Sequence, residues 1–194
     1  MQVNHQRHIL LKYNSYNSND YAYENGVNYF DTAPVYLQGQ SEKATGIALK
    51  RHPRESYFIA TKLSNFSNHS RENSMEMYRK SFENLQTDYI DYYLLHSISG
   101  YDAFKQRYVD NGMIDFLMEE RKAGRIRNLG FSFHGSAEGF DEMMEYHEKY
   151  HWDFVQIQRE LEKISVAVEG LQLWTERMAA TGQIDEEQYQ ELQR

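Results

Sequence analysis

Several side chains that can do chemistry stand at one kind of place in this sequence. Asp31, Lys62, His96, His134 and Gln156 or Gln158 each lie where a short apolar run ends. An aspartate or lysine at the end of a buried strand costs desolvation energy unless it is paired. The cheapest arrangement therefore pairs Asp31 with Lys62 across neighbouring strands. Tyr36, five residues beyond Asp31, reaches the same spot from the following loop. This set makes a proton donor. A tyrosine loses its proton near pH ~10 in water, and a nearby ammonium is expected to favour the phenolate and lower that value. Asp31 would hold the lysine charged and oriented, the tyrosine would protonate a developing alkoxide, and His96 would hydrogen-bond the same oxygen and fix its direction. Given a hydride source, that is equipment for reducing a carbonyl. Singly, each residue has a plainer reading: Asp31 as a turn residue or cap before Pro34, Lys62 as surface, Tyr36 as one of 16 tyrosines, His96 as a satisfied core histidine, and His134 as a turn residue. The shared placement at strand ends makes the set more than its members.

The elements that must position these groups alternate. Tyr29-Phe30 runs into Asp31-Thr32-Ala33-Pro34 as a buried strand closed by turn chemistry. A helix follows from Ser41-Glu42, with Ala44, Ile47, Ala48 and Leu49 as its stripe, and Pro53 breaks the chain. Tyr57 to Lys62 is a second strand. After the polar stretch from Ser64 to Asn73, Ser74 is expected to cap a helix with Met75, Tyr78, Phe82 and Leu85 inward. Ile90 to His96 is a third strand, and Met113, Phe116, Leu117 and Glu120 mark a helix closing at Ala123-Gly124. Ile126 to Phe133 is a fourth strand, Ser136 caps a helix to about Lys149, and Phe154 to Gln158 is a fifth strand. Apolar strands alternating with amphipathic helices predict an α/β fold: a parallel sheet, either open and doubly wound or closed as an eight-stranded barrel. The ends of its strands would then form the ligand face. After Gln158 the alternation gives way to a helical pattern. It runs over Glu160 to Thr181, with Leu161, Ile164, Val168, Leu171, Trp174 and Met178 as its stripe, and continues as a short helix capped by Asp185.

Composition narrows the classes. The 194 residues are 40% apolar and 26% charged, with a net charge of −8. An acidic balance argues against a binder of nucleic-acid phosphates. The lack of cysteine excludes a disulfide framework, a zinc–thiolate site and an iron–sulfur cluster held by these residues alone. The histidines lack metal-ligand spacing, so no metal is expected. No run of ~18 apolar residues occurs and the start carries no apolar signal core, which makes cytoplasmic the default expectation. Asn65-Phe66-Ser67 and Asn68-His69-Ser70 fit the glycosylation pattern but read as cytosolic loop residues. Two prolines are few against the roughly ten that ordinary usage gives, so the chain is short of loops.

The stretches GVNYFDTAPVY, SEKATGIALK, YFIATK, SFENLQTDYIDYYLLH, GRIRNLGFSFHG and DFVQIQ, in that order and with suitable spacing, resemble the aldo-keto reductase superfamily over about Tyr21 to Gln158. The resemblance implies a (β/α)8 barrel of the TIM type. It also implies NADPH or NADH as cofactor, a small carbonyl substrate, and catalytic roles for Asp31, Tyr36, Lys62 and His96. Ser132 and Gln156 match the family's contacts to the nicotinamide amide, and His134 is a candidate substrate or cofactor contact. Phe133 stands where many members have Asn, a variant similar to a bacterial subgroup that includes members with iron–sulfur extensions. The resemblance divides the chain into a barrel portion, 1–158, and a C-terminal helical segment, 159–194. Against a barrel of ~250 residues, five βα units are accounted for and about three strands are not. The family's strands that would bind the pyrophosphate and the adenosine phosphate find no match here. An alternative expectation follows, a non-enzymatic barrel-derived module. Its open sheet edge would be covered by the C-terminal hairpin or by another copy of the chain as a homo-oligomer.

Overall fold

A computed structural model describes residues 18–157. Five strands, β1 (Tyr29–Asp31), β2 (Phe58–Leu63), β3 (Ile90–Ile98), β4 (Ile126–Phe133) and β5 (Phe154–Ile157), lie side by side in sequence order. The registered pairs β1–β2, β2–β3 and β3–β4 are all parallel. The sheet curls into part of a (β/α)8 barrel, the one of the two forms left open by the alternation that the resemblance implies. Four helices serve as crossovers: α1 (Ser41–Leu49), α2 (Arg71–Leu85), α3 (Met113–Lys122) and α4 (Ala137–Glu145). The segment expected as helical over 159–194 lies outside the described residues.

Alternation along each strand sorts side chains onto two faces. On one face Tyr92 touches Tyr29, Phe58 and Phe154, with ring centroids 5.3, 6.1 and 5.2 Å apart. On the other, Tyr93 packs on Tyr78 of α2 at 5.5 Å. The helix-covered side holds the buried core, including Ile59, Tyr93, Leu95, Leu117, Leu129 and Phe131. Lys62 and His96 follow Phe58 and Tyr92 by four residues each, so they fall on the Tyr92 face, towards the strand ends.

Local chemistry departs from the sequence reading at two helix ends and in one loop. Ser70, not Ser74, caps α2: its hydroxyl accepts from the backbone N–H of Asn73 at 3.3 Å. Ser74 lies inside the helix, fully buried, where its hydroxyl accepts from the Asn65 amide at 3.0 Å. Asn65 is itself buried, which fits a structural role for that glycosylation-like triplet. The helix begun by Ser136 stops at Glu145, and a separate turn covers His147–Tyr150. Between β3 and α3, where no helix was expected, a short helix (Tyr101–Phe104) runs into a π-helical turn (Lys105–Val109).

Helix α1 also buries more than its apolar stripe. Gly46 meets α2 so closely that an added Cβ would lie 2.2 Å from the Asn84 carbonyl oxygen and 2.7 Å from Leu85 backbone atoms. Backbone cannot yield as a side-chain tip does. Gly46→Ala is therefore expected to destabilise the fold by about 1–3 kcal/mol, the usual cost of overpacking, read as a lower midpoint in urea unfolding. No helix among the described residues is long and apolar enough to cross a membrane.

Candidate active site

The ends of β1, β2 and β3 bring four of the sequence-identified residues together. Asp31 closes β1 and Lys62 is the penultimate residue of β2. The Lys62 ammonium donates to Asp31 Oδ1 at 2.5 Å and to the Thr32 carbonyl oxygen at 2.9 Å. The lysine side chain is 2% exposed and the aspartate 29%, so the pair spans the boundary between core and solvent. Burial pulls the Lys62 pKa below its ordinary value, and the hydrogen bond and charge of Asp31 oppose that. Thr32 in turn donates its hydroxyl to Ser41 Oγ at 2.7 Å, which ties this corner to the start of α1.

Tyr36 opens the turn Tyr36–Gly39, whose middle residues Leu37 and Gln38 adopt positive φ. Its ring lies 4.9 Å from the Lys62 ammonium, measured to the centroid. Its hydroxyl is 3.5 Å from Nε2 of His96. The expectation that Lys62 lowers the Tyr36 pKa is not met. Burial raises it, and the negative charge of Asp31 raises it further. The reason is geometric: the ammonium sits over the ring rather than at the hydroxyl, and its charge is already engaged by Asp31. The consequence is a tyrosine that keeps its proton at neutral pH.

His96 is placed by an irregularity. The β3–β4 register shifts between Leu95 and Ile98, and Ser97 there has φ +55°. The Ser97 N–H donates to Ser132 Oγ at 2.7 Å, which replaces a lost ladder bond with a side chain. Bulges of this kind re-aim side chains beside functional sites. His96 is 7% exposed. Burial, with the positive charges of Lys62 and Arg107, pushes its pKa down to about 4. Its imidazole is therefore neutral at physiological pH.

The other sequence-identified residues are arranged more loosely. Ser132 is buried at the end of β4 with its oxygen accepting from Ser97, while Gln156 is exposed on β5. His134 is exposed just after β4, and its N–H donates to the Ile98 carbonyl at 2.8 Å. Gln158 lies outside the described residues.

Sequence reasoning missed a second layer. Ser64 Oγ lies 2.5 Å from His96 Nδ1. Tyr108 accepts from the His96 N–H at 3.1 Å and donates to the Leu63 carbonyl at 2.8 Å. Arg107, buried, donates to Tyr108 Oη, Asn65 Oδ1 and the Ser97 carbonyl at 2.7, 3.2 and 3.1 Å, and its guanidinium lies over the Phe66 ring. Glu42 is buried behind β2, where Thr61 Oγ1 donates to it at 2.6 Å; burial raises its pKa. Ser64 alone carries a readable signal, because it follows Lys62 by two residues and so shares its face. Arg107 and Tyr108 sit in the π-helical turn, which has no apolar period to give it away.

Together the four convergent groups offer a protonated phenol, a paired ammonium beneath it and a neutral imidazole beside it. That set can hold a carbonyl oxygen and give it a proton. Among the described residues no three His, Cys, Asp or Glu side chains cluster as a metal would require.

Comparison with known proteins identifies the family. Residues 10–166 match the model of the aldo/keto reductase family. The chain is similar to an uncharacterised oxidoreductase of Bacillus subtilis, 33% identical over 122 residues. That match covers 58% of this chain and 38% of the relative. It is also similar to the glyoxal reductase of the same organism, 34% identical over 113 residues, which covers 57% and 37%. Among solved structures, an aldo-keto reductase from Bacillus halodurans in its holo form superposes with a TM-score of 0.60 at 28% identity. It covers 76% of this chain and 49% of that one. The chain thus spans well under half the length of these curated relatives.

Proposed function

The chain belongs to the aldo/keto reductase family, and from that premise we propose that it reduces a small carbonyl compound to an alcohol with NADPH or NADH. The observation that carries the reading is the convergence of Asp31, Tyr36, Lys62 and His96 at three neighbouring strand ends. Tyr36 is the general acid and donates its phenolic proton to the carbonyl oxygen. Lys62, fixed by Asp31 and the Thr32 carbonyl, stabilises the phenolate left behind. His96, neutral, donates from Nε2 to the same oxygen and sets its direction.

The residues at the ends of β4 and β5 fit a nicotinamide amide. The Ser132 oxygen is committed to the Ser97 N–H, but a hydroxyl also has a proton to donate, and Gln156 is exposed with an amide that donates and accepts. Ser132 and Gln156 would therefore hold the amide, with His134 a further contact at the same end of the sheet. The cofactor would supply a hydride to the carbonyl carbon.

NADPH titration followed by the protein's tyrosine and tryptophan fluorescence tests the reading. Saturable quenching at micromolar cofactor is expected, together with NADPH oxidation when small aldehydes are added. No binding at millimolar cofactor would sink the proposal and favour the non-enzymatic module.

A further inference from the structure

A neutral imidazole carries one proton, on either of two nitrogens, and here the choice decides what the site can do. His96 Nδ1 faces the Ser64 hydroxyl at 2.5 Å, and Nε2 faces the Tyr36 hydroxyl at 3.5 Å. The first contact is short and enclosed, since Ser64 is 4% exposed. The second is at the limit of a hydrogen bond. The Nδ1 side therefore sets the tautomer.

Two arrangements are open to that short contact. If Nδ1 carried the proton, it would donate to Ser64 Oγ, and the serine's own proton would need another acceptor. Among the described residues, Ser64 Oγ has no other hydrogen-bond partner. A buried hydroxyl proton without an acceptor is unfavourable. Nε2 would then also be an acceptor and would draw the Tyr36 proton onto itself, away from a carbonyl. If Ser64 donates instead, both its proton and Nδ1 are satisfied, and Nε2–H is left to donate.

We propose that Ser64 is a positioning residue for the carbonyl reduction, donating its hydroxyl proton to His96 Nδ1 and so holding the imidazole proton on Nε2, beside Tyr36. The inference rests on the reading of the site given above. The pair is anchored on both sides. The Ser64 N–H donates to Met77 Sδ at 3.2 Å, and the neighbouring Asn65 amide donates to Ser74 Oγ and to the Arg107 carbonyl, each at 3.0 Å. The His96 N–H is held by Tyr108, whose hydroxyl also donates to the carbonyl of Leu63, directly before Ser64. The Phe66 ring lies 5.0 Å from the imidazole. Neither partner is free to drift.

The test is a long-range proton–nitrogen spectrum of the histidine rings in nitrogen-15-labelled protein. His96 is identified by the signal lost in His96→Asn. The wild-type chain is expected to show His96 with Nε2 protonated and Nδ1 bare. A proton on Nδ1 would overturn the proposal without any variant being made. In Ser64→Ala the two tautomers are expected to mix, and kcat for NADPH-dependent aldehyde reduction to fall about fivefold, with the cofactor Kd unchanged. Ser64→Thr, which keeps the hydroxyl, is expected to restore both. A Ser64→Ala protein with an unaltered tautomer and an unaltered kcat would also overturn it. If the wild-type tautomer is as stated but the chain reduces no aldehyde, the catalytic reading fails while Ser64's hold on the proton stands, so the two failures are distinguishable.

Discussion

Tyr36→Phe is expected to lower the rate of carbonyl reduction by about 10²–10⁴-fold, the usual contribution of a positioned general acid, while NADPH affinity and stability stay near wild type. The substitution removes one oxygen atom. The ring keeps its place 4.9 Å from the Lys62 ammonium and edge-on to His96, with centroids 5.7 Å apart. Tyr36 is 38% exposed, and among the described residues its hydroxyl has no hydrogen bond beyond the long contact to His96, so no buried hydrogen bond is lost with it there. Because burial and Asp31 raise its pKa, the wild-type residue is in its protonated form across the neutral range. A fall in rate therefore reports loss of the donor rather than a change in its ionisation. Single-turnover kinetics with NADPH and a small aldehyde separate the chemical step from binding. A Phe variant that keeps half or more of the wild-type rate would place the acid elsewhere.

The sequence carried the strand ends better than what lies between them. Asp31, Lys62 and His96 were legible because a charged or polar residue at the end of an apolar run must be paired, and the structure pairs Asp31 with Lys62. Tyr36 was legible by reach, but not its ionisation: whether a lysine lowers a tyrosine's pKa depends on where the ammonium sits relative to the hydroxyl, and spacing does not encode that. β4 matched its expected range of Ile126 to Phe133, since a run of eight with sharp turn residues on both sides leaves little freedom. The loop after β3 was illegible for the opposite reason. Its π-helical turn has no 3.6-residue period, so Arg107 and Tyr108 gave no sign that they brace His96. The Ser70 cap was missed because Ser70 and Ser74 are both good caps by type, one turn apart. Burial of Ser74 against Asn65 decides between them, and that is a tertiary fact.

Lys62→Met separates the electrostatic part of the mechanism from the fold. An unopposed unit charge 4.9 Å from the ring centroid is worth at most roughly 3 kcal/mol to a phenolate at an effective dielectric constant near 20, which is about a hundredfold in rate. Asp31 already engages most of that charge, and the Tyr36 pKa is raised rather than lowered, so a loss of about tenfold in kcat is expected, with NADPH binding retained. Stability is expected to fall only modestly. Methionine matches the lysine in length, and it removes the cost of keeping an ammonium at 2% exposure. Two acceptors are left behind: Asp31, which is 29% exposed and can be hydrated, and the carbonyl of the buried Thr32. A fully buried carboxylate would behave differently, since stranding a fully buried charge costs about 3–5 kcal/mol. Urea unfolding should therefore place Lys62→Met about 1–3 kcal/mol below wild type, the scale of one buried acceptor left unpaired. A variant that unfolds earlier than that would make Lys62 a structural group first. One that folds and reduces aldehydes at the wild-type rate would show that the phenolate needs no ammonium, and the Asp31–Lys62 pair would then lose its place in the chemistry.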